Sequence, residues 1–316
     1  AIINAVWDAF ARYEGKPLWK LLADFSPKQL VDLVDFHYIG DAICADEALE
    51  LLTQRASGRT EREAHVRDRG YPAYTTSPGW LGYSDAEIRS ACRAAVDDGW
   101  RHIKIKVGRD IADDVRRCAI VREEIGADVD LMIDANQRWS IEEAIANVRQ
   151  LSRFNPVWIE EPTHPDDILG HVRIAQAVAP VAVACGEHIP NAVVFKQFIR
   201  SGAMQVAQID VCRSGGVNDV LATMLMAAKY DIPVCPHAGG VGLCELAQHL
   251  SIFDYIAVSG RFDGRVLEFV DGMHEHFVDP AVVRNGRYVV PARPGFSSQF
   301  KAESLEHHVF GVSLTK

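Results

Sequence analysis

Three acidic residues recur at nearly constant spacing in the middle of the sequence. Asp134, Glu160 and Glu187 are separated by 26 and then 27 residues, and each ends a short apolar run. That interval fits one βα unit, which would place the three carboxylates at equivalent strand ends around one rim of a barrel. Like charges at one rim repel unless a cation joins them, and oxygen ligands suit Mg²⁺ or Mn²⁺. The spacing predicts a Mg²⁺ site, with Glu161 as the open alternative to Glu160.

A pair of lysines precedes these acids. In residues 102–108 (HIKIKVG), strand alternation places Lys104 and Lys106 on one face and Ile103, Ile105 and Val107 on the other. Neighbouring cations and burial lower the pKa of a lysine, which makes its amine a usable base near neutral pH. We expect both lysines to point into the barrel mouth; an edge strand with two solvated lysines is the alternative.

The series of polar strand ends continues beyond Glu187. Asp210 follows after 23 residues, His237 after 27 more and Glu268 after a further 31. An aspartate that accepts a hydrogen bond from one imidazole nitrogen fixes the tautomer and raises the basicity of the other, as a general acid or base requires. A structural histidine before a glycine-rich turn is the alternative. Gly239, Gly240 and Gly242 match neither a P-loop nor a dinucleotide-binding fingerprint, which argues against nucleotide binding.

Strands and helices alternate through the region that carries these residues, at the roughly 25 to 30 residues of a (β/α) barrel unit. Two helices are expected to begin at capping boxes, Ser84 to Glu87 and Ser140 to Glu143. The predicted strands are 73–76, 103–107, 131–134, 157–160, 181–184, 205–210, 233–235 and 266–268.

The sequence divides into three predicted parts. Residues 1–70 are expected to be mainly helical, 71–270 to form the barrel, and 271–316 to fold back onto the rest, since turn signals replace the alternation there. Helical spacing of Ile2, Val6, Ala9 and Phe10 begins at once after Ala1. We therefore expect further sequence upstream of Ala1.

Composition excludes several classes of function. The 316 residues are 48% hydrophobic and 24% charged, with a formal net charge of −10 at pH 7. That charge repels phosphate backbones and anionic lipid, so neither nucleic acid nor membrane is an expected partner. The seven cysteines contain no Cys-x-x-Cys pair, which favours buried reduced thiols. Without a bilayer-spanning run or a charged signal-peptide start, the chain is predicted to be soluble and cytoplasmic.

Together these groups suit carbon-acid chemistry. The α-proton of a carboxylate substrate is too weakly acidic for an unaided base, so a metal must hold the carboxylate oxygens while charge moves onto them. A base and an acid would then act from opposite sides of the substrate.

The order Lys-x-Lys, Asp, Glu, Glu, Asp, His, Glu resembles the enolase superfamily, in its mandelate racemase-like branch. The stretches YTTSPGWLGYSD, IKIKVGRD, DANQRW, WIEEPTHPDDILGH, PVCPHAGGVGLCELAQHL and LEFVDGMHEHF look like those of L-fuconate dehydratases and their mitochondrial relatives. The resemblance covers nearly the whole chain. It implies a modified TIM barrel, (β/α)7β, with an incomplete α+β capping domain.

The resemblance also implies roles. Lys106 would take the proton from C2 of a small acid sugar such as L-fuconate, and Lys104, Asn136 and Glu268 would bind that substrate. His237, held by Asp210, would protonate the departing 3-hydroxyl, giving a 2-keto-3-deoxy acid, and Asp134, Glu160 and Glu187 would bind Mg²⁺. A homo-oligomer is expected by the same analogy. Dehydration of another aldonate, epimerisation, and a truncated non-catalytic metal or metabolite binder stay open.

Overall fold

A parallel β-barrel organises the protein, seen in a computed structural model that describes residues 1–308. Its first six strands lie in chain order, each hydrogen-bonded to the next, and the seventh pairs with the first. Between β6 and β7, an isolated bridge from Ala207 to Val234 marks one further strand position. The strands are β1 (Tyr71–Thr75), β2 (His102–Lys106), β3 (Asp130–Asp134), β4 (Pro156–Glu160), β5 (Ala182–Cys185), β6 (Val206–Ala207) and β7 (Leu267–Phe269).

Seven helices connect these strand positions, which makes the fold the predicted (β/α)7β modification of a TIM barrel. Both predicted capping boxes are present, because Ser84 accepts from the backbone N–H of Glu87 and Ser140 from that of Glu143. The helices are α6 (Asp85–Asp97), α7 (Ile111–Ile125), α8 (Ile141–Leu151), α9 (Ile168–Val178), α10 (Ala192–Ser201), α11 (Val217–Lys229) and α12 (Leu243–Phe253).

Strand alternation sorts the side chains between two packed layers. Ile103, Ile105 and Val107 face outward into the apolar layer beneath the helices, as predicted for that face of β2. The barrel interior is filled instead by a separate cluster that closes the space below the polar strand ends. Its members are Tyr74, Met132, Trp158, Ala184, Val206, Cys235 and Val266.

The residues before β1 are helical and share an apolar core with one side of the barrel. Helix α2 packs on α12, and α1 contacts α11. Trp19 is fully buried and donates its indole N–H to the Pro291 carbonyl. The helices are α1 (Ile2–Tyr13), α2 (Leu18–Asp24), α3 (Pro27–Asp32), α4 (Ala45–Ala56) and α5 (Arg59–Arg69).

The residues after β7 return to the beginning of the chain. A short hairpin, β8 (Val283–Arg284) and β9 (Arg287–Tyr288), turns at the predicted Asn285-Gly286 and pairs antiparallel with β1. Gly295 then bridges to Pro17, and α13 (Ala302–His307) follows. The division at residues 70 and 270 stays a prediction.

Two strands are shorter than the sequence pattern predicts. The predicted strand 205–210 is reduced to Val206–Ala207, and the predicted strand 233–235 to the bridge at Val234. Pro233 has no N–H to donate, which shortens its ladder. Residues 208–210 leave the ladder, so Gln208 and Asp210 are at the barrel rim. Within residues 1–308, no helix combines the length and apolarity needed to span a membrane.

Candidate active site

Lys104 and Lys106 are on the same face of β2, directed at the carboxylates of neighbouring strands. The Nζ atom of Lys104 is fully buried and donates to Glu160 Oε1 at 2.7 Å and to Glu268 Oε1 at 3.0 Å. Lys106 Nζ donates to Asp134 Oδ2 at 2.5 Å. Burial opposes the charge of Lys104, but Glu160 and Glu268 outweigh it and raise the pKa of Lys104 well above its ordinary value.

Asp134 and Glu160 are neighbours because the strands register them directly, Asp134 opposite Glu160 across β3 and β4. Both side chains are buried. Burial and repulsion from Glu160 raise the pKa of Asp134 to about 6, although both lysines oppose the rise. The predicted convergence of the first two acids is therefore present.

Glu187 follows β5 and lies beside the predicted acid, but it does not lie within 4.8 Å of both Asp134 and Glu160. Its Oε2 atom lies 3.5 Å from His237 Nε2 and its Oε1 atom 3.4 Å from His188 Nδ1. Burial raises the pKa of Glu187, and His237 lowers it less. The residue thus lies between two histidines, one of which is the predicted acid.

Simple strand alternation predicts that Glu161 points the opposite way from Glu160. The Glu161 side chain is instead buried. Its backbone adopts φ 40°, and its buried carboxylate contacts His188 Nδ1 at 2.5 Å and accepts from Gln137 Nε2 at 2.8 Å. Among residues 1–308, one group of His, Cys, Asp or Glu side chains could share an ion. It consists of Glu161, Glu187 and His188, whose ligand atoms all lie within 4.8 Å of one another. This group shares Glu187 with the predicted ligands.

Asp210 and His237 form a hydrogen-bonded pair at adjacent strand positions. His237 Nδ1 lies 2.9 Å from Asp210 Oδ2, while Asp210 Oδ1 accepts from the backbone N–H groups of Cys212 and Arg213. Burial lowers the pKa of His237, but the bond to Asp210 and the charges of Glu268 and Glu187 raise it to about 9. The pair therefore favours a protonated imidazole near neutral pH.

The other nitrogen of His237 faces the interior of the site. Nε2 lies 3.9 Å from Glu268 Oε2 and accepts a hydrogen bond from the backbone N–H of Gly239 at 3.2 Å. A Cβ atom on Gly239 would approach Nε2 to 2.7 Å, so only glycine leaves the ring in place. Nε2 is therefore held facing the site, where it could exchange a proton with a substrate atom.

Glu268 links the lysine side of the site to the histidine side. One of its oxygens accepts from Lys104, and the other accepts from the backbone N–H of Ala238 at 2.8 Å. Burial would raise the pKa of Glu268, but Lys104 and His237 overcome it and lower the pKa to about 2. Glu268 is thus a fixed negative charge between the two sides.

Asn136 lies where the chain turns after β3. Its backbone is left-handed, with φ 44°, and its N–H donates to Asp134 Oδ1 at 2.8 Å. Asparagine tolerates this conformation better than most residues. The turn directs the chain across the barrel mouth beside Asp134.

Besides Gln137 and His188, sequence reasoning missed two further polar side chains of this mouth. Gln208 is buried and donates to Glu160 Oε2 at 2.7 Å, leaving its own Oε1 without a partner in the described structure. Tyr74 Oη lies 3.4 Å from Lys104 Nζ. Period-two spacing from Asp210 could have identified Gln208, since residues two apart on an extended chain share a face.

The donor set fits a hard divalent cation. Asp134, Glu160 and Glu187 offer buried carboxylate oxygens, and two of these groups have raised pKa values because burial and mutual repulsion disfavour their charges. Lys104 and Lys106 neutralise only part of this charge. A carboxylate rim of this kind suits Mg²⁺.

The arrangement provides an amine on one side, an imidazole with its aspartate on another, and carboxylates between them. Such a mouth can bind an anionic substrate through lysine and metal, remove a proton from carbon and deliver a proton to a leaving oxygen.

The chain is similar to several known proteins over most of its length. Residues 87–304 match the family described as enolase C-terminal domain-like. The crystal structure of human mitochondrial enolase superfamily member 1 is 52% identical, with a TM-score of 0.96, and the match covers 98% of this chain and 71% of the human one. L-galactonate dehydratase of Hypocrea jecorina is 48% identical over 315 residues, 98% of this chain and 70% of that protein. The structure of L-talarate dehydratase from Polaromonas sp. JS666, complexed with Mg and L-glucarate, is 27% identical with a TM-score of 0.71, covering 95% and 69% of the two chains.

The chain belongs to the enolase superfamily, in its mandelate racemase branch.

Proposed function

We propose that the protein is a Mg²⁺-dependent dehydratase of sugar acids, with L-fuconate as its substrate and 2-keto-3-deoxy-L-fuconate as its product. The observation that carries the proposal is the placement of Lys106 on β2 and the His237–Asp210 pair at the far strand positions, with the carboxylate rim between them. An elimination can use one such group as the base at C2 and the other as the acid at the leaving hydroxyl.

We assign the roles from the family resemblance, and the contacts described above are compatible with them. Lys106 takes the C2 proton and Lys104 binds the substrate carboxylate, while Asn136 and Glu268 bind other parts of the substrate. His237, oriented by Asp210, delivers a proton to the 3-hydroxyl as it leaves, and the enol product tautomerises to the 2-keto acid. When bound by Asp134, Glu160 and Glu187, Mg²⁺ would supply the positive charge that stabilises negative charge on the substrate carboxylate.

The names of the relatives support a sugar-acid substrate. One relative is an L-galactonate dehydratase, and a solved neighbour is an L-talarate dehydratase. L-fuconate is the 6-deoxy form of L-galactonate, so the two acids share their configuration at C2 to C5. A site built for one offers the same proton and hydroxyl to the base and acid.

The test is a panel assay for 2-keto acid formation with Mg²⁺, using L-fuconate, L-galactonate, L-talarate and galactarate. L-fuconate should give the highest kcat/KM. A higher kcat/KM with another acid would change the proposed substrate but keep the sugar-acid dehydratase class. Failure to convert any of the four acids would contradict the dehydratase proposal.

Deuterium exchange at C2 separates the two catalytic sides. His237→Asn should lose dehydration but keep exchange, because Lys106 remains; Lys106→Ala should lose both. Exchange without elimination by the wild-type protein would favour an epimerase. Mg²⁺ binding without exchange or turnover would favour a non-catalytic metal or metabolite binder.

The cytoplasmic location and the homo-oligomer stay predictions. One relative is named as a mitochondrial protein, and that name describes the location of the relative, not of this chain. Fractionation and light scattering test the two predictions.

A further inference from the structure

Trp80 lies at the barrel mouth beside Lys106, in the loop after β1. The Nζ atom of Lys106 is 5.7 Å from the centroid of the Trp80 ring, within range of a cation–π contact. The Trp80 residue is 41% exposed, whereas Trp7, Trp19, Trp139 and Trp158 are buried. A large, open indole is therefore placed beside the amine proposed to act on C2.

A buried arginine holds this loop in place. Arg117 of α7 is 2% exposed, and its Nη2 atom donates to the carbonyl oxygens of Gly79 at 2.8 Å and Trp80 at 3.0 Å. Its Nη1 atom donates to the carbonyl oxygen of Lys106. One guanidinium thus fixes the backbone of the aromatic residue relative to the backbone of the lysine, in the planar geometry that arginine provides and lysine does not.

Gly79 lets the loop lie directly on β2. A Cβ atom at this position would come within 2.4 Å of Ile105 Cα and 2.5 Å of the Lys104 carbonyl oxygen. These contacts are with backbone, which cannot move aside as a flexible side chain could. The loop therefore rests on the strand that carries both lysines, which limits the freedom of Trp80.

We propose that Trp80 is a specificity-determining residue of this site, whose indole face packs against the carbon chain of the bound sugar acid, and that Arg117 is its positioning residue. The inference rests on the proposed function. An aromatic face offers a sugar acid an apolar surface for its C–H groups, and the indole N–H can meet a hydroxyl. Such a contact binds the longer carbon chain without taking part in proton transfer.

The substitutions separate the ring from its support. Trp80→Ala should raise KM for six-carbon sugar acids about tenfold or more while kcat changes much less, because the contact contributes to binding. Trp80→Phe keeps an aromatic face and should retain most of the affinity. For glycerate, which has only three carbons, Trp80→Ala should change binding little.

Arg117→Lys retains the charge but loses the forked contacts, so it should reproduce part of the KM rise. Because Arg117 also donates to the Lys106 carbonyl oxygen, kcat should fall more than it does in Trp80→Ala. Arg117→Ala removes all of the guanidinium contacts, so it should raise KM further than Arg117→Lys does. Tyr230→Ala is the matched control, since Tyr230 is a 38% exposed aromatic residue after α11, at the opposite end of the barrel.

Fluorescence provides a readout that does not require turnover. A sugar acid added with Mg²⁺ should protect an indole from acrylamide quenching in the wild-type protein, and this protection should be absent from Trp80→Phe. Protection that persists in Trp80→Phe, or a KM unchanged by Trp80→Ala for every acid that the wild-type protein converts, would overturn the assignment. Failure of the wild-type protein to convert any sugar acid would instead contradict the proposed function and the ligand named for Trp80.

Discussion

His237 Nδ1 lies 2.9 Å from Asp210 Oδ2, across the gap between β6 and the strand position of Val234. The aspartate cannot turn away, because its second oxygen accepts from the backbone N–H groups of Cys212 and Arg213. The contact therefore fixes both the position of the ring and the nitrogen that faces the site.

Asp210→Asn should lower kcat for dehydration by about 10² to 10⁴-fold, the usual contribution of a positioned acid or base. An amide removes the negative charge that favours protonated His237. Exchange at C2 should continue, because the Lys106 side is unchanged. Steady-state kinetics and NMR exchange measure the two effects, with the exposed Asp68→Asn as control; near-normal dehydration by Asp210→Asn would refute the pairing role.

Lys104→Met should destabilise the fold by about 3 to 5 kcal/mol, because it leaves the buried carboxylates of Glu160 and Glu268 without their shared cation. Adding Glu268→Gln should restore part of the loss. Urea unfolding without added metal measures both values.

The matched control for Lys104 is Lys28→Met, which breaks an exposed pair with Asp32 and should cost about 0 to 1 kcal/mol. Equal losses for the two lysine variants would show that the buried network contributes no more than a surface ion pair.

Mg²⁺ binding should distinguish Glu160 from Glu161. Asp134→Asn, Glu160→Gln and Glu187→Gln should each weaken binding in calorimetry by about tenfold or more, and Glu161→Gln should weaken it less. The exposed Glu142→Gln is the control. If Glu161→Gln abolishes binding and Glu160→Gln leaves it intact, the ligands are instead those grouped around His188.

His249 should make folding stability depend on pH. Its ring is fully buried: Nδ1 accepts from the backbone N–H of Trp19 and Nε2 contacts Ser297. Burial lowers the pKa of His249 from 6.5 to about 3. As pH falls from 6.5 towards 3, the unfolded chain binds a proton here that the folded chain does not, so this group lowers the free energy of unfolding.

His249→Gln should therefore reduce the pH slope of the unfolding free energy by up to about 1.4 kcal/mol per pH unit between pH 6.5 and 4. Denaturant titrations at several pH values measure the slope, and His37→Gln at an exposed position is the control. An unchanged slope in His249→Gln would show that the histidine is already protonated in the folded protein.

The barrel was predictable because its local signals agree with one another. The alternation at Lys104 and Lys106, the recurring strand ends and the capping boxes at Ser84 and Ser140 all depend on neighbouring residues. The spacing of about one βα unit then indicated that Asp134 and Glu160 converge.

Features that depend on tertiary contact were not predictable in this way. The sequence does not show that Arg117 reaches the loop of Trp80, because the two residues meet only after α7 packs beside β2. Nor does alternation predict the orientation of Glu161, because its left-handed backbone interrupts the period. The short ladder between Ala207 and Val234 also depends on a tertiary contact, because Pro233 lies opposite β6 and has no N–H to donate.

The junction between Pro17 and Gly295 has a consequence for biosynthesis. Gly295 accepts from the N–H of Leu18 at 2.8 Å and donates to the Lys16 carbonyl at 3.0 Å, while the N–H of Phe296 donates to Asp8. These partners leave the ribosome nearly 280 residues apart. The first two helices must therefore wait for α11 and α12 to cover their apolar faces and for the segment around Gly295 to close the junction, and this interval is when a chaperone would be most needed.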